Sequence, residues 1–490
     1  MKKIYLLLFV GILFWGCESK LDIAPKGYET NASFYNNQSD ANASIIACYS
    51  LLRGVYGGHS ENVLVPNSIM GDEAIPFLTG GVDRIQTWNY TFNPNNSYFQ
   101  QIWSSAYRGI LFSNIALDEI PKIDFDNDLK QQYLAEARFL RALHYFNLVR
   151  YFGEVPLVTG KISSLDSVFI EKSPVESINN LIETDLKFAE AHLPLQYDNI
   201  DIGRATKIAA LGVLSKFYLT LAGDNPGSPY WQLAESKANE IIDLGKNDLW
   251  DQYYKVFSLD SRGGKESIFE VLFNRDYGHN LFTGYAPRGA PIVPAGGYGI
   301  TRVTKSLFDL YEEHDQRKSV SFLTYYIHPT SNETVTLSID DPDPSIAISF
   351  WKLADSSATA GTNVAQTSFP YLRYSDILLV FAEARNEVKG GPDLEAYAAL
   401  NKVRQRAGLE PVSNLTKEEF LEQVLLERRR ELCFEGHRWF DLKRRGRLEN
   451  AVREENSFNR NASFQNHHVY LPIPESELDA NPNLTQNAGY

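Results

Sequence analysis

An all-α protein of tetratricopeptide-like helical-hairpin repeats, carrying irregular insertions of minor β content, is the fold class this sequence predicts. Two observations predict it. Apolar residues recur at helical spacing along four pairs of long segments, so that each pair can bury one face against its neighbours. Between the pairs lie stretches rich in Gly, Pro, Asn and Tyr with only short runs of β character. At 490 residues, 43% hydrophobic and 22% charged, the chain can bury a large core and lacks the composition of a disordered protein.

The amino terminus reads as a targeting segment outside the fold. Lys2 and Lys3 form a charged region, residues 4–15 an apolar stretch too short for a bilayer that needs about 20 residues, and Gly16-Cys17 a lipoprotein-type junction. Residues 1–16 are therefore expected to be a signal peptide, with Cys17 the lipidated residue that holds the protein to a membrane. Residues 17–38 are polar, contain Pro25 and lack periodicity, as a lipidated tether would, and 39–490 are expected to form one domain.

The helical pairs follow in order, at about 40–120, 128–193, 203–245 and 371–408. Asp40 opens the first helix, which carries Ile45, Tyr49, Leu52 and Tyr56 and stops at Gly57-Gly58; its partner spans 99–120. The second pair is 129–152 with 174–192, where Pro174 suits a first turn. The third is 205–222 with 231–244, in which Ala234 and Ala238 allow a close approach, and the fourth is 371–388 with 393–407. Residues 58–98 and 246–370 are left as insertions, the first irregular and the second with β runs near 267–273, 325–328 and 346–353.

The most structured stretch of the C-terminal part, 416–490, begins with a capping box at Thr416 and Glu419. Leu421, Val424, Leu425 and Leu432 form its apolar stripe, and residues 427–431, ERRRE, a charged girdle. Glu435 can reach Arg438, and Asp441 can reach Arg444, at i+3. With Glu427 and Glu431 also close by, an arginine network between helices is favoured over a polyanion site.

Four stretches resemble the SusD/RagB family, the outer-membrane nutrient-binding lipoproteins of Bacteroidetes. They are ERRRELCFEGHRWFDLKRRG from Glu427, RALHYFNLVRYFGEVPLV from Arg141, YLRYSDILLVFAEARNEV from Tyr371 with the LNKVRQRAGL after it, and the terminal VYLPIPESELDANPNLTQNAGY. Cys433 departs from the family's usual small residue, and a thiol fits there. The resemblance spans essentially the whole chain. It implies a SusD-like fold, a glycan ligand, a lipid-anchored position on the outer membrane at the cell surface, and a SusC-like TonB-dependent outer-membrane transporter as partner.

Composition and motifs narrow the function from the other side. Without Lys2 and Lys3 the chain has 45 basic and 61 acidic residues, a net charge of −16 that makes it a poor nucleic-acid binder. Beyond Cys17 only Cys48 and Cys433 remain, too few for a disulfide framework. No G-x-S-x-G, H-E-x-x-H, phosphate-cradling or zinc-spaced motif occurs, so neither catalysis nor a cofactor is expected. His467 and His468, adjacent in sequence, would diverge on a strand. Asp340, Asp341 and Asp343 lack the glycine turn and closing glutamate of a calcium loop.

Loop aromatics are the better signal, because the apolar C–H faces of sugars lie flat on Trp and Tyr while polar groups orient the hydroxyls. One cluster holds Arg84, Trp88, Asn89 and Tyr90; another, residues 274–300, holds six glycines, three prolines, Tyr277, Phe282, Tyr285 and Tyr298. Trp88, Tyr277, Tyr285 and Tyr298 are the expected stacking residues, with Asp83, Arg84 and Asn89 as hydroxyl partners. Trp103 and Trp439 are periodic on helices and belong to the core, Trp231 fills a first turn, and Trp351, beside Lys352 in a β run, is left out. Carboxylate pairs brought together from distant positions leave a surface glycoside hydrolase as one alternative, told apart by turnover. A scaffold binding peptides or glycoproteins is the other, told apart by a concave groove without aromatic loops.

Overall fold

Asn37 starts the first helix, since its carboxamide oxygen accepts from the N–H groups of Ser39 and Asp40 while the Asp40 carboxylate accepts back from the Asn37 N–H. In this computed structural model the described residues are 34–57, 63–77, 81–161, 168–274, 276–278, 281–293, 296–355, 365–455, 460 and 462–490. Cys17 and most of the expected tether lie outside them.

The first helix, α1, is Gln38–Tyr56, followed by α2 (Leu64–Met70), β1 (Ala74–Pro76), α3 (Val82–Asn89) and α4 (Ser97–Glu119). Then come α5 (Asn127–Phe152), β2 (Val155–Pro156), β3 (Lys172–Ser173), α6 (Val175–His192), α7 (Lys207–Ala222) and α8 (Tyr230–Leu244). The long insertion holds β4 (Ser267–Val271), α9 (Leu281–Tyr285), β5 (Thr301–Val303), α10 (Lys305–Phe308), α11 (Arg317–Ser321), β6 (Phe322–Leu323), β7 (Tyr325–Ile327), β8 (Thr334–Thr336) and β9 (Ser349–Phe350). The chain finishes with β10 (Phe369–Arg373), α12 (Tyr374–Lys389), α13 (Leu394–Arg406), α14 (Lys417–Glu431), α15 (Arg438–Arg444), α16 (Leu448–Glu454) and α17 (Glu475–Ala480). The expected helices are present, and the described residues of the 58–98 stretch, read as irregular, include two short helices and a strand before α4 begins.

The hairpins α1/α4, α5/α6, α7/α8 and α12/α13 stack in that order, with α4 on α5, α6 on α7 and α8 on α12. Close approach depends on glycine at two places. A Cβ on Gly109 of α4 would lie 2.0 Å from the His144 ring of α5, and one on Gly212 of α7 would lie 2.5 Å from Leu372 of β10. The stack continues across the long insertion because β4 and β10 pair antiparallel, Phe369 opposite Val271 and Leu372 opposite Phe269, which draws the two ends of the insertion together.

α14 and α15 lock the last hairpin to this frame through charge. Glu431 is fully buried and is bound by Arg317, Arg373 and Arg406; Glu427 takes Arg317 at 2.5 Å and Arg404 at 3.2 Å. Arg428 spans from Asp376 on α12 (2.7 Å) to Asp441 on α15 (2.9 Å), and Arg444 binds Asp441 (2.9 Å) and Glu383 (2.5 Å). Burial alone would raise these carboxyls, but the guanidinium groups outweigh it for Glu431, Glu435, Asp441 and Glu383, and the Lys216 ammonium together with Arg428 does so for Asp376, so that all five are held below their ordinary values. The expected arginine network is thus present. One pairing differs: Glu435 binds Arg373 (2.8 Å) and Lys352 (2.9 Å) rather than Arg438.

The difference arises because the helix breaks after Glu431. Phe434 and Gly436 take left-handed backbone at φ 61° and 81°, which removes the i+3 geometry between 435 and 438. Phe434 tolerates that conformation in a tight aromatic nest, stacked on Phe350 at 3.9 Å with the edge of Tyr285 at 4.4 Å. Trp439 and Trp103 are core as expected, at 0% and 3% exposure, and Cys48 and Cys433 are buried free thiols. His467 and His468 do not diverge on a strand: they lie in a 3₁₀ turn with ring centroids 4.1 Å apart. The carboxylates of Asp341 and Asp343 cap backbone N–H groups two residues on, at Asp343 and Ser345.

Candidate functional site

The two insertions expected to carry ligand residues are joined in space. Each offers a three-residue strand with open edges, and the strands satisfy one another: Ala74 pairs with Val303, Ile75 with Arg302 and Pro76 with Thr301. The seam continues where the Phe77 N–H donates to Ile300 O at 3.4 Å, Arg84 Nη1 to Ile300 O at 3.3 Å, and Thr304 Oγ1 to Asp72 O at 2.7 Å. Residues 298–300 fold back on 283–284, Tyr298 N–H to Thr283 O and Ile300 N–H to Gly284 O, both at 2.9 Å. Gly297 permits this, since a Cβ there would fall 2.3 Å from the Pro287 carbonyl oxygen.

Two of the expected stacking residues present themselves to solvent. Tyr277 is 61% exposed and rests on the Arg53 guanidinium, 4.5 Å from its ring centroid. Its loop is fixed by the Asn274 side chain, which accepts from the N–H groups of Asp276 (3.1 Å) and Tyr277 (2.8 Å). Tyr298 is 42% exposed, and its carbonyl accepts from Arg288 Nε at 3.3 Å. A ring held from below and open above is suited to the apolar face of a pyranose.

The other two are corrections. Trp88 and Tyr285 are each only 2% exposed and offer no face to a ligand. Trp88 lies on the inner side of α3 beneath Arg460, whose guanidinium is 5.5 Å from the ring and donates to Trp88 O at 3.0 Å. Tyr285 packs its ring edge to face with Phe434. The three polar candidates hold the layer together. Asp83 accepts from the Ser97 N–H at the start of α4 (2.9 Å), Arg84 Nε donates to Tyr98 (3.1 Å), and Asn89 O accepts from the Ser463 N–H (2.8 Å).

Arg53 and Arg288 were missed, because a residue beside an exposed ring is set by loop geometry that spacing does not reveal. Tyr254 and Tyr325, 50% and 60% exposed, were missed as well. The YY pairs at 253–254 and 325–326 were the available signal, since adjacent positions in extended or 3₁₀ chain point apart.

At its root, β1 delivers Asp72 and Glu73 to the α14–α15 junction. Burial would raise Asp72, but Arg438, bidentate at 2.8 and 2.7 Å, and Arg429 at 3.1 Å hold it at about 2. Glu73 is pushed up to about 8 by burial and by the Asp72 charge, and accepts from the Phe434 N–H at 3.3 Å. The seam, the fold-back and this ionic root fix the layer to the helical stack.

Residues 265–490 match the SusD family, and residues 55–219 match a family described as starch-binding and associating with the outer membrane. The chain belongs to the SusD family. Among SusD relatives, SusD-like protein P2 of Formosa agariphila is 28% identical over the whole of both chains. A SusD superfamily protein from Parabacteroides distasonis superposes with a TM-score of 0.83 at 26% identity, covering 92% of this chain and 99% of its own. A laminarin-binding SusD-like protein gives 0.78 at 26% identity, covering 93% of this chain and all of its own. The mostly helical SusD architecture is common to these structures and this one.

Proposed function

We propose that this SusD-family protein binds an oligo- or polysaccharide at the cell surface through its insertion layer and passes it to a SusC-like TonB-dependent outer-membrane transporter. The observation that carries the proposal is the exposed Tyr277 ring on its Arg53 support, in the same layer as the exposed Tyr298. Support for a sugar ligand comes from the starch-binding description of the family matched by residues 55–219 and from the laminarin-binding relative. Trp88, Tyr285, Asp83, Arg84 and Asn89 act by holding the layer in place.

Membrane attachment is assigned to lipid on Cys17. No helix among the described residues is long and apolar enough to cross a membrane, and the family description includes outer-membrane association. Binding without turnover is the activity proposed. Titration of laminarin and starch oligosaccharides by calorimetry tests it, with product analysis of the same samples. Saturable heat that Tyr277→Ala plus Tyr298→Ala strongly weakens, and no shortened sugars, is the expected result; turnover, or heat unaffected by the pair, would overturn it.

A further inference from the structure

The same insertion carries a second aromatic cleft, lined by no residue of 81–98 or 274–300. Tyr254 and Trp351 line a cavity of about 440 Å³, together with buried Phe257 and exposed Asp260 and Ser319. Local structure accounts for both rings. The 3₁₀ turn Tyr253–Phe257 sends Tyr253 inward, 1% exposed with its hydroxyl on Glu431 O at 2.7 Å, and so sends Tyr254 outward. Trp351 follows β9 with its N–H fixed to Ser321 O at 2.8 Å, and its indole packs in part against Ala286, Val293 and Ala365.

Charge selects among ligands. Lys352 is the cation among the lining residues, and its ammonium is committed to Glu431 O and to Glu435, both at 2.9 Å. The exposed charge facing the cavity is the Asp260 carboxylate, which repels anions and accepts from hydroxyls. The volume lies in the range of small-ligand pockets. We propose that this cleft is a second site for a neutral oligosaccharide, stacked on Tyr254 and Trp351 and hydrogen-bonded by Asp260 and Ser319. The proposal rests on the sugar-binding function above. It adds a second contact on one polymer chain.

Native electrophoresis in gels containing laminarin or starch, with alginate as the acidic polymer, tests it on the full chain. Tyr254→Ala should weaken retardation by the neutral polymer about tenfold, Tyr254→Phe should restore it, and alginate should retard neither. In the Tyr277→Ala and Tyr298→Ala background some retardation should persist, and adding Tyr254→Ala should remove it. Retardation that Tyr254→Ala leaves unchanged, or that the Tyr277 and Tyr298 pair removes entirely, would overturn the second site and leave the first standing. Binding of alginate through Tyr254 would overturn the neutral-ligand assignment. Failure of wild-type protein to bind either neutral polymer would count against both sites. Thermal melts of each variant separate lost binding from lost fold.

Discussion

Replacing Tyr277 by alanine removes a ring that is 61% exposed, so it should cost affinity and leave stability nearly unchanged. Loss of one stacked sugar face is worth about 1–3 kcal/mol, a tenfold to hundredfold rise in Kd by calorimetry. Trp88→Ala should behave in the opposite way, losing about 3–5 kcal/mol of stability in urea denaturation with little change in the affinity of folded protein. Equal melting curves for the two variants would contradict their placement. Titration gives a second residue-scale test. Glu73, at about 8 in the fold against an ordinary 4.5, favours folding fully below pH 4.5, and that contribution is lost as pH rises toward 8. Glu73→Gln should therefore gain on wild type as pH goes from 5 to 8, on the order of 3 °C in Tm. Asp72 works with the other sign, its contribution present above 3.8 and lost as pH falls toward 2. No gain for Glu73→Gln at pH 8 would mean that Glu73 is ionised in the fold.

The α14 and α15 pair shows what an element discloses in its sequence. The capping box is realised, with the Glu419 N–H on Thr416 Oγ1 at 3.2 Å and the Thr416 N–H on Glu419 Oε2 at 2.9 Å, because both partners lie within one turn. Asp441 with Arg444 was legible for the same reason. Arg438 was not: its partner Asp72 lies 366 positions away and arrives on the turn that leads into β1, which no spacing rule anticipates. Arg438→Ala should cost about 3 kcal/mol, since buried Asp72 loses its bidentate partner and, among the described residues, keeps Arg429. Asp72→Asn in the same chain should recover part of that loss. Strictly additive losses in a urea double-mutant cycle would show that the two side chains do not interact.

At the scale of the molecule, the order of the helical pairs was readable because each carries its own apolar stripe and the β4–β10 pairing lets them stack as if uninterrupted. The insertion layer was readable as a place but not residue by residue. A tyrosine in a glycine-rich loop is exposed or buried according to what folds against it, and for Tyr285 that is Phe434, far along the chain. The α3 helix was hidden for a related reason, its flanks of Gly and Asn resembling a loop while Thr87 and Trp88 pack inward. Anchoring is a property of the whole chain. Cys17→Ala should leave a folded protein that no longer partitions with outer membranes, and continued partitioning in fractionated cells lacking the transporter would refute lipidation at Cys17. A rigid helical frame and a separate binding layer divide the labour, and hydrogen–deuterium exchange with and without the bound glycan distinguishes the two. Protection should rise within 274–300, around Arg53 and around Tyr254, with the amides of the α5/α6 and α7/α8 hairpins unchanged. Protection centred on those hairpins, with none in the insertion layer, would contradict that division.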